Sequence, residues 1–123
     1  MADQPKTIEL DGVKYIRQDS IAQPATKVDG LEYVICRTYS AGVFAGYLKA
    51  ENGQEVTLIQ ARRIWRWVGA ATLSQLAMDG TSNPSGCKFP CEVPIVTLKQ
   101  VTEIIPCTEK AKQSIGEVAI WRA

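Results

Sequence analysis

The pair Asn52-Gly53 constrains this chain more than any other two residues. It stands between two stretches of strand composition, residues 43–49 and 55–59, and Asn-Gly in that position predicts a tight hairpin with a type I′ turn. Upstream, residues 33–38 predict a further strand, with Tyr33, Ile35 and Arg37 toward one face and Val34, Cys36 and Thr38 toward the other. Ser40-Ala41-Gly42 breaks that strand, and its glycine permits a tight turn or the close approach of a backbone or ligand. The three strands make an antiparallel meander. At Gln60 the period changes: Ala61, Ile64, Trp65 and Val68 recur at helical spacing, which predicts a helix over 60–68 with Arg62, Arg63 and Arg66 toward its other faces.

The remaining elements follow from local punctuation. Thr72 caps a predicted helix over 72–79, with Leu73, Leu76 and Ala77 at core spacing and Asp79-Gly80 as its stop. Residues 81–94 form a long loop with three prolines and one glycine, a length that usually marks binding. Residues 95–105 are extended, with a bulge or turn near Lys99-Gln100; a short helix over 109–115 and a closing strand or arm over 118–121 follow. At the other end, residues 7–10 and 13–17 flank Asp11-Gly12 as a second hairpin, and 19–30 reads as a linker. The chain thus divides into a hairpin and linker, 1–30, and a single ligand-binding domain, 31–123. The predicted fold class is α+β: a small antiparallel sheet from 33–49, 55–59 and 95–105, with two short helices, 60–68 and 72–79, packed on one face, plus the N-terminal hairpin.

Composition narrows the function. At 123 residues the chain supports one core without disulfides. With 14 basic and 13 acidic residues the net charge is +1, which gives no electrostatic case for duplex nucleic acid or an anionic membrane. No apolar run reaches spanning length and the N-terminus lacks a leader pattern, so a cytoplasmic location is expected. Of Cys36, Cys87, Cys91 and Cys107 only the middle two have ligand spacing, so no metal is expected, and no cofactor either. The chain has no histidine, no phosphate-binding lysine loop and no catalytic spacing of carboxylates. A non-enzymatic binding protein is the expectation.

The candidate binding groups are cationic and aromatic. On a 60–68 helix, Arg63 and Arg66 converge on one anion, and arginine's planar fork suits phosphate. Trp65 and Trp67 supply ring faces beside them. In the long loop, Lys88 and Phe89 pair a cation with an aromatic that contacts phosphate and stacks on a base. Each has a plainer reading that the sequence leaves open: tryptophans and Phe89 in the core, arginines and Lys88 in water.

Several segments carry a family resemblance: RTYSAGVFAG at 37–46, EVTL at 55–58, ARRIW at 61–65, GAATLSQLA at 69–77, CKFPCEVP at 87–94 and EIIPCTE at 103–109. Over most of 33–121 the chain resembles a family of small phage and prophage proteins. It is also similar to the first type of Thoeris anti-defence protein. That resemblance implies a sponge which sequesters, without cleaving, cyclic ADP-ribose isomers made by TIR-domain immune enzymes, and in some members the cyclic oligonucleotides of CBASS immunity. It implies a homodimer or hexamer as well. By position it makes Arg63 and Arg66 the helical arginine pair, Arg37 the arginine opening the strand, Phe89 the stacking aromatic and Thr97 a polar site residue. Lys99 stands where an asparagine is expected near Thr97, and the C-terminal arginine is Arg122.

Two functions of different kinds remain in view. One is the cyclic-nucleotide sponge, using Arg37, Arg63, Arg66, Lys88 and Phe89 at a subunit interface. The other is a phage interaction module that docks on a host protein through Trp65, Trp67 and Trp121. Near-neutral charge disfavours a third, single-strand nucleic-acid binding.

Overall fold

The computed structural model describes the backbone of strands 7–10 and 13–16 and, with side chains, residues 23–123. Strands β1 (Thr7–Leu10) and β2 (Val13–Ile16) pair antiparallel with Thr7 opposite Ile16, which is the expected N-terminal hairpin. Residues 19–22 of the expected linker lie outside the described residues. Its second half is not free chain. The Ala25 amide donates to the Cys107 carbonyl at 3.0 Å and the Thr26 amide to Glu109 Oε1 at 2.6 Å, so this stretch is fastened to the main body.

The body is α+β. Its sheet runs β6-β5-β4-β3-β7, antiparallel throughout, from β3 (Tyr33–Thr38), β4 (Val43–Asn52), β5 (Glu55–Arg63), β6 (Glu92–Leu98) and β7 (Val101–Pro106). The outermost strands, β6 and β7, are consecutive in sequence, separated by Lys99 and Gln100 alone. In a flat sheet four strand spacings would hold those edges about 19 Å apart, yet three residue steps reach only about 11 Å. The sheet therefore curls. Its enclosed face buries Val34, Cys36, Phe44, Val56, Leu58, Leu98 and Val101. The opposite face buries Tyr33, Ile35, Ala45, Tyr47 and Ile64 beneath the helices α1 (Leu73–Asp79) and α2 (Glu109–Glu117).

The helices begin where hydroxyl caps allow. Thr72 accepts from the Gln75 amide and Thr108 from the Ala111 amide, both at 3.1 Å, satisfying donors at the first turn. Gly80, at φ +75°, closes α1 with its amide on the Leu76 carbonyl. The helix expected over 72–79 is present.

The helix expected over 60–68 is not. β5 continues through Arg63, and the chain then runs extended past Trp65. Gln60 sits at φ +49° and the β4–β5 register shifts there, from Ala45 opposite Arg62 to Tyr47 opposite Ile59. This is a bulge. One extra residue sends Leu58 and Ala61 to the same face, so apolar positions recur at three-residue spacing inside a strand. The change of period at Gln60 is real, but it marks a bulge. The two helices on the sheet are α1 and α2, whose latter was expected only as an outlying helix over 109–115.

A second correction concerns the Asn52-Gly53 turn. Asn52 ends β4 opposite Glu55, leaving Gly53-Gln54 as the loop. Gly53 is at φ +62° and Gln54 has no positive φ, a type II′ pattern with glycine first in place of type I′. Lys99-Gln100 is a turn between strands, Gln100 being at φ +55°.

Candidate ligand cleft at the Ser40–Gly42 turn

The site is built where β3 turns into β4. Thr38 Oγ1 accepts from the Ala41 amide and donates to the Gly42 carbonyl, both at 2.8 Å, which draws the turn tight. Gly42, at φ +96°, adopts a conformation few side chains tolerate. Across from it Arg63, the last residue of β5, donates Nη1–H to the Ala41 carbonyl at 2.6 Å and lays its guanidinium 4.2 Å from the Phe44 ring centre. The residues that follow, Ile64, Trp65 and Trp67, complete a cleft of about 330 Å³ floored by Val43. It combines a forked cation, a backbone turn and two indoles.

Beside the cleft lies a second cluster. Arg66 and Lys88 form an antiparallel bridge, the Lys88 amide donating to the Arg66 carbonyl at 2.8 Å. A parallel bridge joins Phe89 to Ile120, with the Trp121 amide donating to the Phe89 carbonyl at 3.0 Å. These two bridges hold the 64–67, 87–90 and 119–121 segments side by side. Trp65 and Trp121 consequently stack, ring centres 5.0 Å apart and planes at 25°. The Lys88 ammonium lies 5.7 Å and 5.4 Å from their centres.

The expected site residues divide. Arg63 lines the cleft, and Arg66 with Lys88 flanks it. Arg37 is elsewhere: strand alternation places it on the helix-bearing face with Ile35, whereas Arg63 covers Phe44 of the enclosed face. Its Nε is engaged by Glu103 Oε1 at 3.1 Å. Thr97 pairs with Thr57 on β6, six residues along β5 from Arg63, or about 20 Å at strand rise. Phe89 is fully buried in the core beneath α2, so it offers no exposed face for stacking. The expected convergence of Arg63 and Arg66 as neighbours on one helix is also replaced, since the two lie on extended chain and belong to adjoining clusters.

Arg62 was not expected to matter, yet it anchors the surroundings of the site. Only 4% exposed, it donates Nε–H to the Pro90 carbonyl, Nη1–H to Ile115, and Nη2–H to both Phe89 and Val118, at 2.6–3.1 Å. Burial draws its pKa below the usual value, opposed by nearby Tyr33 and Glu92. Four carbonyls and the Phe89 ring, 5.5 Å away, surround the cation without a carboxylate at hydrogen-bond distance. Two of the carbonyls, from Ile115 and Val118, close the C-terminal end of α2, where a positive charge is favoured. No local signal distinguishes Arg62 from Arg63. The bulge at Gln60, visible only in the fold, decides which one faces inward.

The match to known families fits this core. The chain belongs to the DUF6948 family. The family, described as a domain of unknown function, matches residues 31–115. No curated protein matches the chain, and no solved structure does. The DUF6948 domain contains the whole Ser40–Gly42 cleft and the Arg66–Lys88 bridge, while Trp121 lies beyond the matched range. Among the described residues no group of histidine, cysteine or carboxylate side chains is placed to hold a metal. No helix among them is long and apolar enough to cross a membrane.

Proposed function

We propose that this protein is a phage-encoded sponge that binds a cyclic nucleotide immune signal and holds it uncleaved. The candidate ligands are cyclic ADP-ribose isomers, with CBASS cyclic oligonucleotides as a second class. The observation that carries the reading is the cleft itself, which sets the Arg63 guanidinium against a glycine turn and two indoles within about 330 Å³. Such a ligand joins phosphates to flat rings, and a fork of N–H donors with aromatic walls is the complementary chemistry. The resemblance to the Thoeris anti-defence proteins supports the same reading. In this proposal the protein acts as a homodimer or hexamer in the cytoplasm of the infected bacterium, and an adjoining copy completes the open side of the cleft.

The test is direct. The purified protein is incubated with a mixture of cyclic ADP-ribose isomers and cyclic di- and trinucleotides, filtered free of excess and heat-denatured, and the released material is weighed by mass spectrometry. One cyclic nucleotide recovered at its original mass is expected. Arg63→Ala should weaken its binding roughly tenfold to a hundredfold by calorimetry, the loss of one charge-assisted fork. Release of nothing from the whole panel sinks the proposal. In that case the exposed Trp65, 58% accessible, with Ile120 and Trp121 favours docking on a host protein.

A further inference from the structure

At the rim of the cleft, the stacked pair Trp65–Trp121 is the least explained feature of the surface. Trp65 is 58% and Trp121 40% exposed, an unusual outlay of large apolar rings. The pair is held in place by backbone, not left to drift: Trp65 donates its amide to the Lys88 carbonyl at 3.2 Å and Trp121 to the Phe89 carbonyl at 3.0 Å. Adjacent residues of one segment thus grip both tryptophans. The same segment carries the Lys88 ammonium to within 5.7 Å of both rings. Among the described residues, neither Lys88 nor the exposed Arg66 has a carboxylate partner. Lys88 therefore stands as a cation without a carboxylate partner at the edge of a preformed aromatic surface, and the exposed Arg66 is bridged to it through the backbone.

We infer that Trp65, Trp121, Lys88 and Arg66 form a stacking platform for a heteroaromatic phosphate ester, with the base on the indoles and the phosphate on the cations. This deepens the sponge reading by assigning a base-stacking role to the C-terminal tail, but it requires only a nucleotide, cyclic or not. A rigid pre-stacked surface is suited to the task because the base need not order a mobile ring on arrival. Stacking is indifferent to which base is present, whereas the paired cations select for a phosphate. A neutral nucleoside or a base-free sugar phosphate satisfies only half of the platform. Trp65 also lines the cleft, so one ligand can engage Arg63 and the platform together.

Three probes separate the parts: AMP, adenosine and ribose 5-phosphate, with cyclic di-AMP as the larger ligand. Each is titrated to millimolar concentration while tryptophan emission and calorimetric heat are recorded. AMP or cyclic di-AMP should quench the emission, ribose 5-phosphate should not, and adenosine should bind more weakly than AMP. Trp121→Leu should weaken nucleotide binding about fivefold to a hundredfold. The double variant Lys88→Gln, Arg66→Gln should erase the advantage of AMP over adenosine. Melting curves confirm that each variant is folded, and a variant that fails to fold is replaced by Trp121→Phe, which keeps a ring and should retain most of the affinity. The platform is overturned if no adenine-bearing probe quenches the parent, or if Trp121→Leu binds cyclic di-AMP as tightly as the parent does. It is overturned equally if Trp121→Leu leaves nucleotide binding unchanged and only lowers the oligomer size by light scattering. Tight cyclic-nucleotide binding that survives Trp121→Leu but not Arg63→Ala would remove the platform and leave the sponge reading standing.

Discussion

Arg62 and Arg63 are neighbours with opposite chemistry. Arg62 spends its donors on four carbonyls inside the protein, while Arg63 makes a single bond to Ala41 at the cleft and leaves the rest of its fork to solvent. Removing them should therefore have different consequences. Arg62→Met keeps an apolar stem but strands the carbonyls of Phe89, Pro90, Ile115 and Val118, so a loss of about 3–5 kcal/mol in chemical denaturation is expected. A loss under about 1 kcal/mol would mean that the surrounding segments hold themselves. The cysteines divide in the same manner. Burial pushes the thiols of Cys36 and Cys107 up to about 12, whereas Cys91 is exposed. The thiolate is the reactive form. Native protein at about pH 8 should therefore add one alkyl group rapidly, mapped to Cys91 by peptide mass spectrometry, and all four after denaturation. Fast labelling of Cys36 or Cys107 would show that the curled sheet opens readily.

At the scale of elements, the bulge in β5 is what turns a strand into a site. Gly46 of β4 lies against it, and a Cβ there would come within 3.1 Å of Ala61 Cα and of the Ile59 carbonyl. Both neighbours are backbone and cannot rotate away. Gly46→Val should cost about 1–3 kcal/mol through overpacking, read as a lowered melting temperature. It should also weaken ligand binding, because displacing β5 carries Arg63 away from the Ala41 carbonyl. A variant with parent stability and affinity would show that the bulge is not what sets Arg63.

For the whole molecule, the consequential contact is the one that fastens residues 23–26 to α2. The Thr26 amide donates to Glu109 Oε1 at 2.6 Å, with Gln113 Nε2 donating to Oε2 at 2.9 Å. The Thr26 bond, first among the causes, holds the Glu109 carboxyl below its ordinary range. A depressed folded pKa means stabilisation that is complete above the unfolded value of about 4.3 and is lost as the pH falls through the folded value. Between about pH 6 and about pH 3 the melting temperature of Glu109→Gln should accordingly drop less than the parent's, since a neutral amide has nothing to titrate. Equal slopes for both proteins would assign the acid sensitivity to other carboxylates.

What the sequence determined is what neighbours along the chain decide. Thr72 and Gly80 bracket α1 by capping alone, Asp11-Gly12 and Asn52-Gly53 mark two hairpins, and the composition of residues 33–38 announces the strand β3. Of the candidate site, Arg63, Trp65 and the small Ser40–Gly42 turn were legible, because a fork, a ring and a glycine advertise their chemistry in any fold. The tertiary structure decided the rest. Phe89 and Arg62 went inside, Arg37 to Glu103, and Trp121 onto Trp65, through contacts between residues 27 to 66 positions apart in sequence. The physical reason lies at Gln60. A run of apolar residues at three- and four-residue spacing satisfies a helix and a bulged strand equally well, and nothing local separates them. Pairing with β4 and β6 broke the tie, since only an extended β5 bridges β4 to the edge of the curled sheet, and that choice fixed which arginine meets solvent.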